Sequence, residues 1–281
     1  EVVVPPVGEL NFEDPPGDVH IKYGYIRDDD VYVIKIASGF YQNKLLGLSN
    51  GQGMMVVFDQ KNGKPLGLLQ DEGYLTDVRT AVAGAICAKY LAPNNIQAIG
   101  IIGTGVQARM QLEYLKNVTD CRSAIVWGRS KSALDQYRTS MADSGFIIET
   151  TMALDQVTDN CNLIVTCTAS EKPLIIKDQI KGKIHITAMG SDTPNKQELD
   201  SNVLSKADLV IADSRSQCEV RGEIHHAIKN KIVSMDSIVE LGEIINGDRR
   251  GRTTSSALTV ADLTGVAVQD IQISKAVLSN I

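Results

Sequence analysis

The residues whose types and spacing first suggest chemistry are Gly103-Thr104-Gly105-Val106-Gln107-Ala108, a G-x-G-x-x-A turn. In such a turn the first glycine makes the tight bend and the second lets the backbone approach a pyrophosphate. The small third residue, Ala108, lets the following helix pack closely on the preceding strand. The helix N-terminus then presents free N–H groups and a positive dipole end to the phosphates. The pattern alone is weak. Its context strengthens it, because an apolar run, Ala98-Ile99-Gly100-Ile101-Ile102, precedes the turn and a helical stretch follows it. An ordinary tight strand-to-helix turn is the smaller alternative. The expected ligand is a nicotinamide dinucleotide. An NAD site usually carries Asp or Glu about 20 residues past the glycines, to bind the ribose hydroxyls. Here that stretch reads Val126-Trp127-Gly128-Arg129-Ser130-Lys131, with no acid. Arg129, Ser130 and Lys131 offer two cations and a hydroxyl instead, which suits a 2′-phosphate, although a solvated basic turn has the same composition. NADP(H) is therefore favoured over NAD(H).

Three further side chains sit where chemistry can use them. Lys35 interrupts an apolar stretch, Val33-Ile34-Lys35-Ile36. A buried lysine is costly unless it is paired or neutralised, which points to a side chain facing a cavity. A strand with one solvent face accounts for the spacing equally well. Arg79 precedes an alanine-rich segment; its planar fork suits both oxygens of a carboxylate, and a surface ion pair at a helix end is the alternative. Asp192 follows the apolar run ending at Met189-Gly190. It has the chemistry to exchange a proton with an amine or to activate water, but an aspartate is also at home in a turn before a proline, here Pro194. His20 is a weaker proton-donor candidate. His225 and His226 are adjacent, so they do not share a helix face and read as surface residues rather than metal ligands. Glu223 and Glu243 read as structural.

The elements that must hold these residues fall into two patterns. The first part is β-rich. Val31–Ile36 reads as a strand, and Gly53–Phe58 and Pro65–Leu69 read as a hairpin joined by a turn containing Asn62-Gly63. From Thr76 the period becomes helical through Ala81, Ala85, Ala88 and Leu91, and Pro93 ends it. From Ile96 strands and helices alternate: Ala98–Ile102, Ser123–Trp127, Asn162–Cys167, Lys183–Met189 and Ala207–Ala212 read as strands. That alternation predicts an α/β fold with a doubly wound parallel sheet of the Rossmann type. After about Leu241 the pattern loosens into the polar loop Asn246–Arg252, and Thr264 to Leu278 reads as a last helix that packs back on the first part. The expected division is 93–254 for the dinucleotide-binding domain, with 1–92 plus 255–281 as a second α/β domain for substrate and dimerisation.

Composition excludes several function classes. Of 281 residues 43% are hydrophobic, enough for a sizeable core, and the formal net charge is -6, which repels nucleic acid and anionic membranes. No apolar stretch approaches the ~20 residues a membrane span needs. Five cysteines, with no C-x-x-C pair and no histidine at ligand spacing, read as reduced core thiols in a cytoplasmic protein without a metal site. The chain opens at Glu1 rather than at methionine, which leaves room for a natural segment before it.

Read together, several segments resemble the ornithine cyclodeaminase and mu-crystallin family. Thr76-Asp77-Val78-Arg79-Thr80-Ala81 resembles its T-x-x-R-T-A, and Ile101–Ala108 its I-x-G-x-G-V-Q-A turn. Gly190–Leu199 resembles its G-x-D-x-P-x-K-x-E-L, and Glu240-Leu241-Gly242-Glu243-Ile244 its L-G-E segment. The resemblance covers nearly the whole chain. It implies a Rossmann domain plus an α/β domain that forms a homodimer, and chemistry at the Cα–N bond of an amino or imino acid. By motif, Lys35 matches the lysine that reaches substrate, Arg79 the arginine that binds its carboxylate, and Asp192 the acid beside the nicotinamide in cyclodeaminases and alanine dehydrogenases. Two departures concern the substrate. Gly8 stands where the family has a second carboxylate-binding arginine, and His20-Ile21-Lys22-Tyr23 replaces a Met-Pro pair, so Lys22 is the candidate for the missing cation. The leading expectation is an NADP(H)-linked amino-acid dehydrogenase or imine reductase. Ornithine cyclodeamination, with NAD recycled within each turnover, is the second. A ligand-binding protein without turnover is the third.

Overall fold

The computed structural model describes residues 2–40 and 42–280. Contacts divide the chain into two units, one of residues 1–80 with 265–281 and one of residues 81–264.

The first unit is built on strands β1 (Val2–Val3), β2 (Gly8–Glu13), β3 (Pro16–Ile26), β4 (Val31–Phe40), β5 (Gly51–Asp59) and β6 (Pro65–Gln70). They form an antiparallel sheet in the order β1-β3-β4-β5-β6, with β2 also paired to β3. The expected hairpin is β5–β6. Its turn is organised by the Asp59 carboxylate, which accepts from the backbone N–H groups of Lys61 and Asn62, and by Gly63 at φ +73°. Side chains alternate between faces. On one face Val31, Val33, Met55 and Val57 are buried with Ile271. On the other, Tyr23, Ile34, Val56 and Leu68 lie in register across four strands, and Tyr32 stacks on Phe58 with ring centroids 4.8 Å apart. Helix α1 (Tyr74–Leu91) begins two residues before its expected start, and its residues 74–80 belong to this unit.

The second unit alternates strand and helix. It comprises β7 (Ile99–Ile102), α2 (Val106–Leu115), β8 (Ser123–Trp127), α3 (Lys131–Ser140), β9 (Ile147–Thr151), α4 (Leu154–Asn160), β10 (Leu163–Thr166) and β11 (His185–Ala188). It continues with α5 (Ser201–Lys206), β12 (Leu209–Ala212), α6 (Arg215–Cys218), α7 (Gly222–Lys229), β13 (Val239–Glu240), α8 (Leu241–Ile245) and β14 (Thr259–Asp262). All eight strands pair in parallel, in the order β13-β12-β14-β11-β10-β7-β8-β9. This is the Rossmann-type doubly wound sheet that the strand–helix alternation predicts. Strand residues divide by parity between two cores. Ile99, Ile101, Val126, Leu163 and Val165 pack with α2 and α3, and Ile102, Ile125, Ile164 and Ile186 pack on the opposite side with Val157 and Val203. A sheet covered on both faces needs continuous apolar strands, and that is the composition these strands have.

Helix α9 (Ala267–Leu278) returns the chain to the first unit, as expected for the last helix. Two boundaries differ from expectation. The division falls at 80/81 and 264/265 rather than at 92/93 and 254/255. The second is displaced by β14, which the polar stretch before it hides: its run Thr259-Val260-Ala261-Asp262 is fully buried between β11 and β12. Arg252, at the end of that polar loop, donates to the carbonyls of Leu91, Ile184 and Ala257 and so fixes the loop to the strand ends. Among the described residues no helix is long and apolar enough to cross a membrane.

Tyr137 on α3 is fully buried and donates its hydroxyl to the Ala108 carbonyl at 3.0 Å, tying α3 to the first turn of α2. Tyr137→Phe should cost about 1 kcal/mol of unfolding free energy in a denaturant titration. An unchanged midpoint and slope would show that the tie contributes nothing.

Candidate functional site

The G-x-G-x-x-A turn lies at the carboxyl end of β7. There the winding of the sheet reverses, since β8 and β9 follow on one side of β7 and β10 and β11 on the other. In open α/β sheets that reversal leaves a crevice for ligands. Gly103 has φ +132°, and a Cβ there would come within 2.9 Å of the Cys167 carbonyl oxygen, so only glycine fits. Gly105 is different. It is the N-cap of α2 in extended conformation, without a side-chain cap, and a Cβ on it would meet nothing. The first turn of α2 thus has uncapped N–H groups beside open space, while Ala108 is fully buried behind it. Thr104 is half-buried and its carbonyl is held by Arg109 at 2.8 Å; Gln107 accepts from Gln111, and Val106 is exposed. These features fit a dinucleotide pyrophosphate. Arg129, Ser130 and Lys131 are exposed at the end of β8, and Ser130 Oγ accepts from Ala133 N as the N-cap of α3.

The predicted substrate residues of the first unit converge. Lys22 and Lys35 are directly paired across β3 and β4, on the covered face of the sheet, and both are buried. Like charges opposite one another in a sheet are unfavourable, and here they are also desolvated. Arg79 of α1, 8% exposed, joins them. Lys35 and Arg79 share Asp270 of α9 as a counter-ion: its Oδ1 lies 3.0 Å from Lys35 Nζ and 3.1 Å from Arg79 Nε, with both carboxylate and lysine 1% exposed. Arg79 Nη1 donates to Gln269 Oε1 at 2.8 Å and Lys22 Nζ to the Gly265 carbonyl at 2.8 Å. Gly265 has φ +81°, and a Cβ there would come within 2.6 Å of Arg79 Nη1. Burial is the largest influence on the Lys35 ammonium, and with Arg79 and Lys22 against it and Asp270 for it, the pKa falls to about 7. The solvent-face alternative for Lys35 and the surface ion-pair alternative for Arg79 are both excluded by this burial. Gly8 is paired with Ile21, and a Cβ on it would point at the Ile21 side chain at 3.3 Å. Lys22, the next residue along β3, is buried opposite Lys35.

Asp192 lies in the second unit, on the loop that leaves β11. Its Oδ1 meets Lys196 Nζ at 2.7 Å and its carbonyl accepts from Arg221 at 3.3 Å. The loop is braced by buried carboxylates. Glu198 accepts from the hydroxyls of Thr166 and Thr168 and from the backbone N–H groups of Thr168 and Gly190, at 2.6 to 2.8 Å. Glu223 accepts from the N–H groups of Glu198 and Leu199, and Asp262 from that of Ile224. Burial raises all three carboxyl pKa values, well above the ordinary range for Glu223 and Asp262. Glu223 is structural as expected, and Glu243 accepts from Arg215. The histidines are less exposed than expected. His225 bonds the Glu219 carbonyl and His226 that of Lys196, so both brace turns. His20 is 3.7 Å from Glu9. Among the described residues no group of acids, cysteines and histidines could hold a metal ion.

The family model for the ornithine cyclodeaminase/mu-crystallin family matches residues 2–281. The chain belongs to that family. It is an NAD(P)-dependent enzyme. It is similar to an archaeal alanine dehydrogenase solved as a dimer with bound NAD, at 30% identity and TM-score 0.91 over 100% of this chain and 87% of the other. The iminosuccinate reductase of Paracoccus denitrificans in complex with NAD+ gives 31%, TM-score 0.90, and 99% and 85% coverage. The Δ1-pyrroline-2-carboxylate reductase of Thermococcus litoralis in complex with NADH and L-proline gives 26%, TM-score 0.91, and 98% and 85% coverage.

Asp270 and Gln269 are the site residues that sequence reasoning missed. A signal existed: Asp270 shares helical spacing with the buried Ala267, Ile271 and Ser274, so an acid falls on an apolar helix face.

The two glycines of the turn separate fold from ligand. Gly105→Ala should leave stability within about 0.5 kcal/mol, as for a surface change, yet weaken NAD(P)H binding at least about tenfold in a fluorescence titration. Gly103→Ala should lower stability by about 1–3 kcal/mol through backbone strain. Tight cofactor binding by the Gly105 variant would remove the pyrophosphate from this turn.

Proposed function

We propose that this enzyme reduces the C=N bond of an imino acid, and runs in reverse as an amino-acid dehydrogenase, with NADP(H) as its preferred cofactor. The observation that carries this reading is the buried pairing of Lys35 and Arg79 on one acid, Asp270, with Lys22 opposite Lys35 in the sheet. Lys35 and Arg79 are two desolvated cations sharing one carboxylate, which leaves room for one more anion, and a substrate carboxylate supplies it. Arg79 would grip the carboxylate through its planar fork, and Lys22 and Lys35 would hold its other edge. A nicotinamide bound at residues 103–108 supplies or takes up a hydride. Asp192 would exchange a proton with the substrate nitrogen or its water, tuned by the ammonium of Lys196.

The preference for NADP(H) rests on Arg129 and Lys131, exposed at the end of β8 where an NAD site would place an acid. The free state of all five cysteines suits a cytoplasmic enzyme. The outer face of the first unit's sheet, with Tyr23, Tyr25 and Leu68 exposed over an apolar register, suits a second copy of the chain. The NAD-bound alanine dehydrogenase neighbour is itself a dimer.

The test is loss of absorbance at the reduced-nicotinamide band with NADPH and NADH separately, against cyclic imino acids and against 2-keto acids with ammonia. Steady consumption of NADPH with one substrate class is expected. Ammonia release from ornithine with trace NAD and no net absorbance change would instead establish cyclodeamination. Tight NADPH binding with no turnover would establish a binding protein. Arg79→Ala should lower kcat/KM by about 10–100-fold, the worth of a hydrogen bond to a charged group. Arg79→Lys should recover part of it, because the charge returns without the fork. Unaltered kcat/KM in Arg79→Ala would refute the carboxylate role. Arg129→Asp should move preference toward NADH, and sedimentation should give a dimer; a monomer would leave the apolar sheet face unexplained.

A further inference from the structure

We infer that Asp270 is a positioning residue of this reaction: through one carboxylate it fixes the Arg79 guanidinium and retains the proton on Lys35, so that both cations are set to receive a substrate carboxylate. The inference rests on the proposed imine reduction. Asp270 is 1% exposed, and its Oδ1 lies between Lys35 Nζ and Arg79 Nε at 3.0 and 3.1 Å. Its second oxygen, Oδ2, is buried and has no hydrogen-bond partner among the described residues. One oxygen thus serves two cations from two different elements, which ties the place of the Arg79 guanidinium to that of the Lys35 ammonium.

The groups that face Lys35 come from each element around it: Lys22 from β3, Arg79 from α1, Asp270 from α9, and the uncharged Met55 from β5. Only Asp270 favours the ammonium; burial, Arg79 and Lys22 all oppose it. The sign of any change follows. Lys35 binds a carboxylate only while it is an ammonium, and that form is lost as pH rises through its folded pKa of about 7. Without the Asp270 charge the loss moves to lower pH.

The experiment compares full-length wild type, Asp270→Asn and Asp270→Glu, each saturated with NADPH, in kcat and KM for a cyclic imino acid from pH 5.5 to 9. In parallel the Lys35 ammonium is titrated by NMR in protein carrying 15N-labelled lysine, its signal assigned with Lys35→Arg. In Asp270→Asn the fall of kcat/KM with rising pH should move down by at least about one unit, a tenfold change in proton affinity. The defect should then sit mainly in KM above pH 7 and narrow on acidification, and the NMR titration of Lys35 should move with it. Asp270→Glu keeps the charge but displaces it, so Lys35 should titrate near its wild-type value while KM rises at every pH. A merely structural carboxylate would give an equal loss at all pH values and an unmoved Lys35 titration in whichever variant folds, and that result overturns the inference. If wild type itself reduces no imino acid, the functional reading fails separately. The NMR titration then still decides whether Asp270 governs the proton on Lys35.

Discussion

Everything in the first unit depends on one buried carboxylate. The sheet places Lys22 and Lys35 opposite one another on its covered face, and α1 adds Arg79. Left alone, three desolvated cations would repel one another and drive the helices off the sheet. Asp270 holds the arrangement from α9, and Gly265, at the turn into that helix, has no side chain to obstruct Arg79 or Lys22. Removing one partner of such a buried cluster costs about 3–5 kcal/mol, since a charge is left uncompensated. The cluster is therefore an expensive device for stability alone, and two cations sharing one carboxylate are a property that chemistry can use.

The second unit solves a different problem. Its strands are short, and their carboxyl ends must be held in place without side chains crowding the crevice. Gly103 does this by approaching the Cys167 carbonyl, and Glu198 does it by collecting four donors from the ends of β10 and β11. Glu223 and Asp262 then hold the backbone next to the preceding acid in the chain of braces. Each carboxylate satisfies N–H groups that irregular loops would otherwise leave buried and unpaired. The loop bearing Asp192 is thus anchored at both ends while its middle, Pro194-Asn195, remains exposed.

Much of this was legible in the residues. The Rossmann-type sheet followed from alternating apolar runs, because strands buried on both faces cannot hide their composition. The turn at Gly103–Ala108 followed from steric need. Lys35 stood out because a cation in an apolar strand demands an explanation, and the explanation proved to be a partner far along the chain. That distance is also why Asp270 is hard to find: its place on the apolar face of α9 marks it as buried, but nothing local says which cations it meets. β14 was missed because the polar stretch before it, rich in arginine and glycine, conceals a buried strand. Arg252 resolves the conflict by spending its donors on carbonyls that the loop would otherwise abandon. The braces at Glu198 and Glu223 join residues close in space through backbone N–H groups and, at Glu198, two threonine hydroxyls, a combination that no spacing in the sequence reveals.

On the proposed function, the cation cluster receives the carboxylate of the substrate. The most direct measurement compares kcat/KM for a cyclic imino acid with that for the same ring lacking its carboxylate. Discrimination of about 10⁴-fold is predicted, because the analogue leaves buried charges unpaired in a site built to bind them. Comparable values for the two rings would mean that Lys22, Lys35 and Arg79 serve the fold and not the substrate.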